Sequence, residues 1–203
     1  MNKRLPFACA IIAGFCVAVF GGCQPELVAN PNYAGWAPFE TGASVTMQGT
    51  QKDGKRTENV TMTEKLVSKD AEKVVIERTV QLEKGPPHVA SRVEKAMIDP
   101  ADHPRTHPSA KIKPKGTQKI LVGDRKVLCA IWELTVNAAV PGFVDQSQDM
   151  WIRSWRNPAV PGGLVKVLLK TKTRFREIEL DGQVTRFSGT QAATTQPAAA
   201  KEN

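Results

Sequence analysis

The feature that most restricts what this chain can fold into is a hydrophobic period of two. Val60, Met62 and Leu66 alternate with Thr61, Thr63 and Lys65. Val74, Ile76, Val80 and Leu82 alternate with Val75, Glu77, Thr79 and Gln81. Successive side chains of a strand point to opposite faces, so these stretches are strands with one buried face. Between Gly42 and Ser188 no window carries a convincing helical period.

Turn chemistry divides the alternating stretches. Asp53-Gly54, Gly123-Asp124 and Asp181-Gly182 each lie between strand-like runs and read as hairpin turns, because a type I′ turn needs positive φ at both central residues. Pro141-Gly142 and Pro161-Gly162 read as type II turns. With Asp53-Gly54 as a two-residue turn, Met47 faces Val60 and Val45 faces Met62. A hairpin closed around Lys69 to Lys73 sets Leu66 opposite Ile76, Met62 opposite Val80 and Val60 opposite Leu82. The same register sets Glu64 opposite Arg78 at inward positions, where a lone charge is expensive. Two readings stand: an ion pair near the sheet edge, or a pair facing ligand in a cavity.

The strands fall at about 44–50, 56–67, 73–82, 90–97, 118–122, 125–137, 147–156, 164–176 and 183–188. Only the connection across 99–117, rich in Pro, His and Lys, is long. The expected fold is all-β: an open, strongly curved antiparallel sheet, a half-barrel meander of about eight or nine strands. A single sheet of that size curls to cover its own apolar face.

The start of the chain has a different character. Lys3 and Arg4 precede a charge-free run from Leu5 to Gly22. This is the layout of a secretory signal, with a retained membrane helix as its rival. Phe20-Gly21-Gly22-Cys23 resembles the lipobox of bacterial lipoproteins, with Phe20 where leucine is usual. The resemblance implies a signal peptide over 1–22 and a lipidated Cys23 as first mature residue. More than one acyl chain makes a stable anchor. It also implies a cell-envelope location facing the periplasm, and Gln24 favours the outer membrane over the inner. Cys9 and Cys16 leave with the signal, so Cys129 stands alone and an intrachain disulfide framework is excluded.

Residues 23–40 read as a tether in which Pro25, Pro31 and Pro38 argue against a helix. Its aromatic residues Tyr33, Trp36 and Phe39 suggest that the far end docks on the β domain, 41–188. Residues 189–203, rich in Ala, Thr and Gln, read as a disordered tail.

Three patches together carry a further resemblance. They are Gly35-Trp36-Ala37-Pro38-Phe39 with Gly42 and Val45, the Asp124 to Trp132 strand with Cys129, and Met150-Trp151-Ile152 with Val160-Pro161-Gly162-Gly163-Leu164-Val165-Lys166. They resemble a set of small bacterial lipoproteins, and the last patch is similar to the sheet of the lipoprotein-carrier (LolA/LolB-like) superfamily. The resemblance implies a half-barrel around an apolar cavity, which in the carriers holds acyl chains. The chain departs from the carriers in having no recognisable helix to lid that cavity.

The chain is basic, with 28 Lys and Arg against 20 Asp and Glu. From Trp151 to Arg176 there are seven basic residues and no acidic ones. Lys166, Lys170, Lys172, Arg174 and Arg176 share one parity, and Val165, Val167, Leu169 and Phe175 the other. The basic face is either a solvated exterior or a docking face for anionic lipid or an envelope polymer. Export argues against nucleic acid as a partner. Trp132, Trp151 and Trp155 lie on neighbouring strands, as core or as lining of a ligand cavity.

Catalytic motifs are missing. There is no Gly-x-Ser-x-Gly elbow, no His-Glu-x-x-His and no phosphate loop. Prolines around His103 and His107 prevent the helix that would align them as metal ligands, so a solvated loop is expected and no metal. Glu177 and Glu179 read as an exposed polar face. The resulting expectation is a non-enzymatic lipoprotein without cofactor, binding an acyl or apolar ligand in the concave face. The alternative is a subunit of an envelope complex that docks an anionic surface or protein through strand 164–176.

Overall fold

The computed structural model of the chain describes residues 26–137, 147–173 and 177–192. The signal stretch, Cys23, the Pro141-Gly142 turn, Arg174, Phe175, Arg176 and the tail beyond Ala192 lie outside the described residues.

A short strand β1 (Val28–Ala29) and a helix α1 (Pro31–Trp36) come first. Then follow β2 (Ser44–Asp53), β3 (Arg56–Lys69), β4 (Lys73–Leu82), β5 (His88–Lys95) and the short β6 (Met97–Ile98). A 3-10 turn at Pro100–Asp102 leads to β7 (Lys111–Val122), β8 (Arg125–Val136), β9 (Ser147–Arg156), β10 (Leu164–Thr173) and β11 (Glu177–Ser188). Nine of the strands form one antiparallel sheet in the order β5-β4-β3-β2-β11-β10-β9-β8-β7, and β1 pairs with β6.

The sheet is open and all-β, but it is not a simple run of neighbours. Its first strand pairs with its last, β2 with β11. Two meanders, β2 to β5 and β7 to β11, are thereby joined at their outer ends, and the opening falls between β5 and β7. The segment that crosses this opening holds Pro100, Pro104 and Pro108. Proline cannot donate to a ladder, so this stretch leaves the sheet. The expected long connection is shorter than 99–117, because β7 already begins at Lys111.

The β3–β4 register is the expected one: Leu66 faces Ile76, Glu64 faces Arg78, Met62 faces Val80 and Val60 faces Leu82. The β2–β3 register differs by two residues. Asp53 pairs with Arg56, so Gly54-Lys55 makes the turn, Met47 faces Met62 and Val45 faces Glu64. Gly54 has φ +60 and takes the position that needs a left-handed residue. A shift of two keeps every side chain on its face.

Asp181-Gly182 is not a turn. β11 runs straight through it, and Gly182 lies opposite Gly49 of β2. A Cβ on Gly49 would overlap the carbonyl oxygen of Asp181. A glycine inside a strand marks a close backbone approach, and here two of them let the two meanders meet.

The tether also differs from expectation. Pro31 sits at the start of α1, where its missing N–H is not needed, and the Asn30 side chain caps the helix by accepting from Asn32 N at 2.8 Å. Trp36 and Phe39 are buried. Gly35 rests against the Pro161-Gly162 turn, where Gly162 N donates to Gly35 O at 3.0 Å and Gly162 has φ +76. The start of the tail is ordered as well: Glu40 N donates to Thr190 O, and Ala192 N to Pro38 O.

Candidate functional site: the concave face

The alternation puts Val45, Met47, Met62 and Glu64 from the first meander on one face, together with Arg78 and Arg92. From the second meander, Trp132 and Leu134 of β8 and Ile152, Ser154 and Arg156 of β9 reach the same space. Residues from both wings surround one hollow, so this is the concave side. Trp36 of α1 and His103, Pro104 and Arg105 of the β6–β7 connection cover it. The inner part measures about 180 Å³ and adjoins a wider groove of about 940 Å³ that extends along Leu169, Ile178 and Leu180. The concave face is therefore open in part, with an apolar floor and a polar roof. Cover comes from one short helix and a proline-rich loop, which the period of the sheet did not announce.

Four arginines reach this space, and their electrostatics differ. Glu64 Oε1 accepts from Arg78 Nε at 2.8 Å and lies 3.1 Å from an Arg92 nitrogen. Arg92 also meets Glu94 at 3.0 Å. Glu64 is thus both expected things at once, a cross-strand ion pair and a cavity wall. Arg105 and Arg156 have no carboxylate partner among the described residues. Arg105 lies over the Trp132 ring, 6.0 Å from its centroid. Arg156 donates to Gly162 O at 3.3 Å. Burial, then the charge of Arg105, pulls the Arg156 pKa down to about 10. Burial also lowers that of Arg105.

His103 is buried, not solvated, so the expectation of a solvated loop fails at this residue. Arg105 N donates to its Nδ1 at 3.1 Å, and its Nε2 lies 3.4 Å from Asn32 Oδ1. That arrangement suits the neutral ring with its proton on Nε2. Burial, then the charges of Arg156, Arg105 and Arg92, pushes its pKa down to about 4. His107 turns to Ser109, and His88 is exposed on β5. Among the described residues no three His, Cys, Asp or Glu side chains come together. Cys129 is fully buried, and burial raises its thiol pKa.

Of Trp132, Trp151 and Trp155, only Trp132 lines the concave cavity. Trp151 and Trp155 lie on the other parity of β9 and face the opposite side of the sheet. There Trp155 Nε1 donates to Gln118 Oε1 at 2.7 Å, under Lys166. Trp151 lies beneath Arg153, 5.2 Å away. Adjacency of strands did not decide which residues share a face; register did.

Two lysines of the basic strand have acidic partners. Lys166, Lys170 and Lys172 do share a face, as expected. β11 brings Asp181 within 3.7 Å of Lys166 and Glu179 within 2.7 Å of Lys170, and sets Glu177 opposite Lys172. Arg174 and Arg176 lie outside the described residues. Sequence reasoning missed Arg105 and Arg156, and placed His103 in a solvated loop. The signal for Arg156 was its parity with Ile152 and Ser154 on β9. Arg105 and His103 gave none, since a proline-rich loop has no period to place it.

No known family pattern matches the sequence, and no curated protein does. Some solved structures show a weak likeness to this chain. An exported protein with YmcC-like fold from Bacteroides fragilis is 10% identical, with a TM-score of 0.45 over 74% of this chain and 97% of that one. MucB in the MucA/MucB complex of Pseudomonas aeruginosa is 11% identical, with a TM-score of 0.44 over 81% of this chain and 57% of that one. An outer membrane lipoprotein-sorting protein domain from Vibrio parahaemolyticus is 8% identical, with a TM-score of 0.24 over 74% and 86%.

Proposed function

We propose that this chain is a lipid-anchored binding protein of a bacterial cell envelope, without catalytic activity, that holds an acyl or other apolar ligand in its concave face. The observation that carries the reading is the partly open hollow floored by Met47, Met62, Leu134, Ile152, Leu164 and Val167. A sheet that only needed a core would fill this space, because interiors pack densely and voids are costly. Apolar burial contributes about 25 cal/mol per Å², so an acyl chain entering such a hollow is favoured. In this reading acylated Cys23 tethers the domain at the periplasmic side, with the outer membrane as its site. Val28 lies five positions after Cys23, a span of at most about 18 Å, which keeps the hollow close to lipid.

The reading is tested with a fluorescent fatty-acid probe and a form that begins at Gln24, which keeps every described residue. Uptake should persist as salt rises, since apolar burial is not screened. The emission of Trp132 should change while that of Trp155 does not. No uptake at any salt overturns the acyl-binding reading.

A further inference from the structure

The two unpaired arginines of the concave face stand at one place. Arg105, Trp132 and Arg156 line the inner cavity and also a separate outer hollow of about 390 Å³ beside α1, bordered by Pro31, Gly35 and Pro38. They form the wall between apolar interior and surface. The other two arginines of the concave face are already satisfied, Arg78 and Arg92 by Glu64, and Arg92 also by Glu94. At the wall no acid among the described residues answers the charge, and the neighbouring His103 is neutral. Placing two half-buried cations side by side costs stability unless an anion joins them. A fold that keeps such a cost at a cavity mouth is keeping it for a ligand.

From this charge arrangement, and resting on the reading of the concave face as an apolar-ligand site, we infer that Arg105 and Arg156 clasp the anionic head group of an amphiphile whose chain lies on the apolar floor. The guanidinium fork matches a carboxylate or phosphate through paired N–H donors. The head group takes the uncompensated charge, and the chain takes the floor at Met62, Leu134 and Ile152. An uncharged amphiphile of the same length gains the second contribution and not the first.

The experiment uses the full chain in phosphatidylcholine nanodiscs with two photoreactive probes of equal length, a palmitate analogue and a hexadecanol analogue. The palmitate probe should reach half-maximal labelling at a concentration at least about tenfold lower, the worth of one charge-assisted hydrogen bond or more. Labelled peptides should include Met62, Leu134 or Ile152. In R105Q/R156Q the preference, read as the ratio of the two probes in that same variant, should fall to about twofold or less. R105K/R156K should keep part of it, and R153Q, on the opposite face, all of it. The R105Q/R156Q variant should melt no lower than the parent, since two neighbouring like charges without a carboxylate partner among the described residues have gone. Competition by palmitate against lysophosphatidate tells a carboxylate head group from a phosphate one.

Equal labelling by both probes in the unaltered chain overturns the inference without any variant and leaves the apolar reading standing. So does a preference that survives in R105Q/R156Q. Displacement of the palmitate probe by inorganic phosphate alone, or by a poly-glutamate peptide, also overturns it, in favour of a free anion or an acidic protein partner. Labelling by neither probe overturns the apolar reading itself, and the inference with it.

Discussion

His103 shows how a single side chain takes its chemistry from the fold. Its folded pKa of about 4 lies below the ordinary value of 6.5. Above pH 6.5 the ring is neutral in both folded and unfolded chains and adds no pH dependence. As pH falls from 6.5 towards 4, the unfolded chain takes up a proton that the folded one refuses, so stability is lost, and the loss levels off below about 4. At pH 5 it amounts to about 2 kcal/mol. Urea unfolding at pH 7 and pH 5 should show a difference smaller by about that amount in His103→Asn. The same pH sensitivity in both proteins would mean that His103 meets water. Glu64 makes the complementary case, since its partner Arg78 was legible from register alone. Removing Arg78 leaves the buried carboxylate to Arg92, and removing both leaves less uncompensated charge. A double-mutant cycle with Glu64→Gln and Arg78→Met should give a coupling of about 2 kcal/mol. No coupling would count against the pair. Arg92 was not legible as the third member, because its strand, β5, carries no strong alternation to place it.

Among the elements, the β2–β11 ladder decides the architecture. The strands themselves were readable, since a period of two is a local signal. Pairing of the first with the last was not, because ladders between distant strands leave no mark in either one. The mark present, glycine at Gly49 and Gly182, read as a turn at Asp181-Gly182 when it is a crossing. Gly49→Ala should therefore cost about 3 kcal/mol, as overpacking against backbone does. Gly42→Ala, at φ +94 with open space around it, should cost only about 1 kcal/mol through backbone strain. Denaturant midpoints of the two variants measure this contrast, and equal losses would argue against a tight crossing. The ladder between β10 and β11 carries the same lesson. Seven basic residues without an acid between Trp151 and Arg176 looked like a docking face, yet pairing brought Glu179 and Asp181 alongside Lys170 and Lys166. Charge that is separated along the chain is adjacent across the sheet.

At the scale of the whole molecule, the anchor and the hollow are one prediction in two parts. Mass spectrometry of protein extracted from membranes should find Cys23 as the first residue, carrying lipid. An unmodified Cys23, or a soluble mature form with a later start, would refute the anchor and leave the hollow to its own test. The sequence by itself determined the all-β class, the positions of most strands, the β3–β4 register and the candidate leader. All of these depend on residues near one another in the chain. Only the tertiary structure decided that the sheet opens between β5 and β7, that α1 and a proline-rich segment roof the opening, and that Trp132 faces inward while Trp151 and Trp155 do not. It also decided that Arg105, from that roof, meets Arg156, from the end of β9, at the cavity mouth. The physical reason is common to these cases. Side-chain alternation is fixed by the pleat of each strand, whereas which faces meet is fixed by pairing between strands and by what crosses over them.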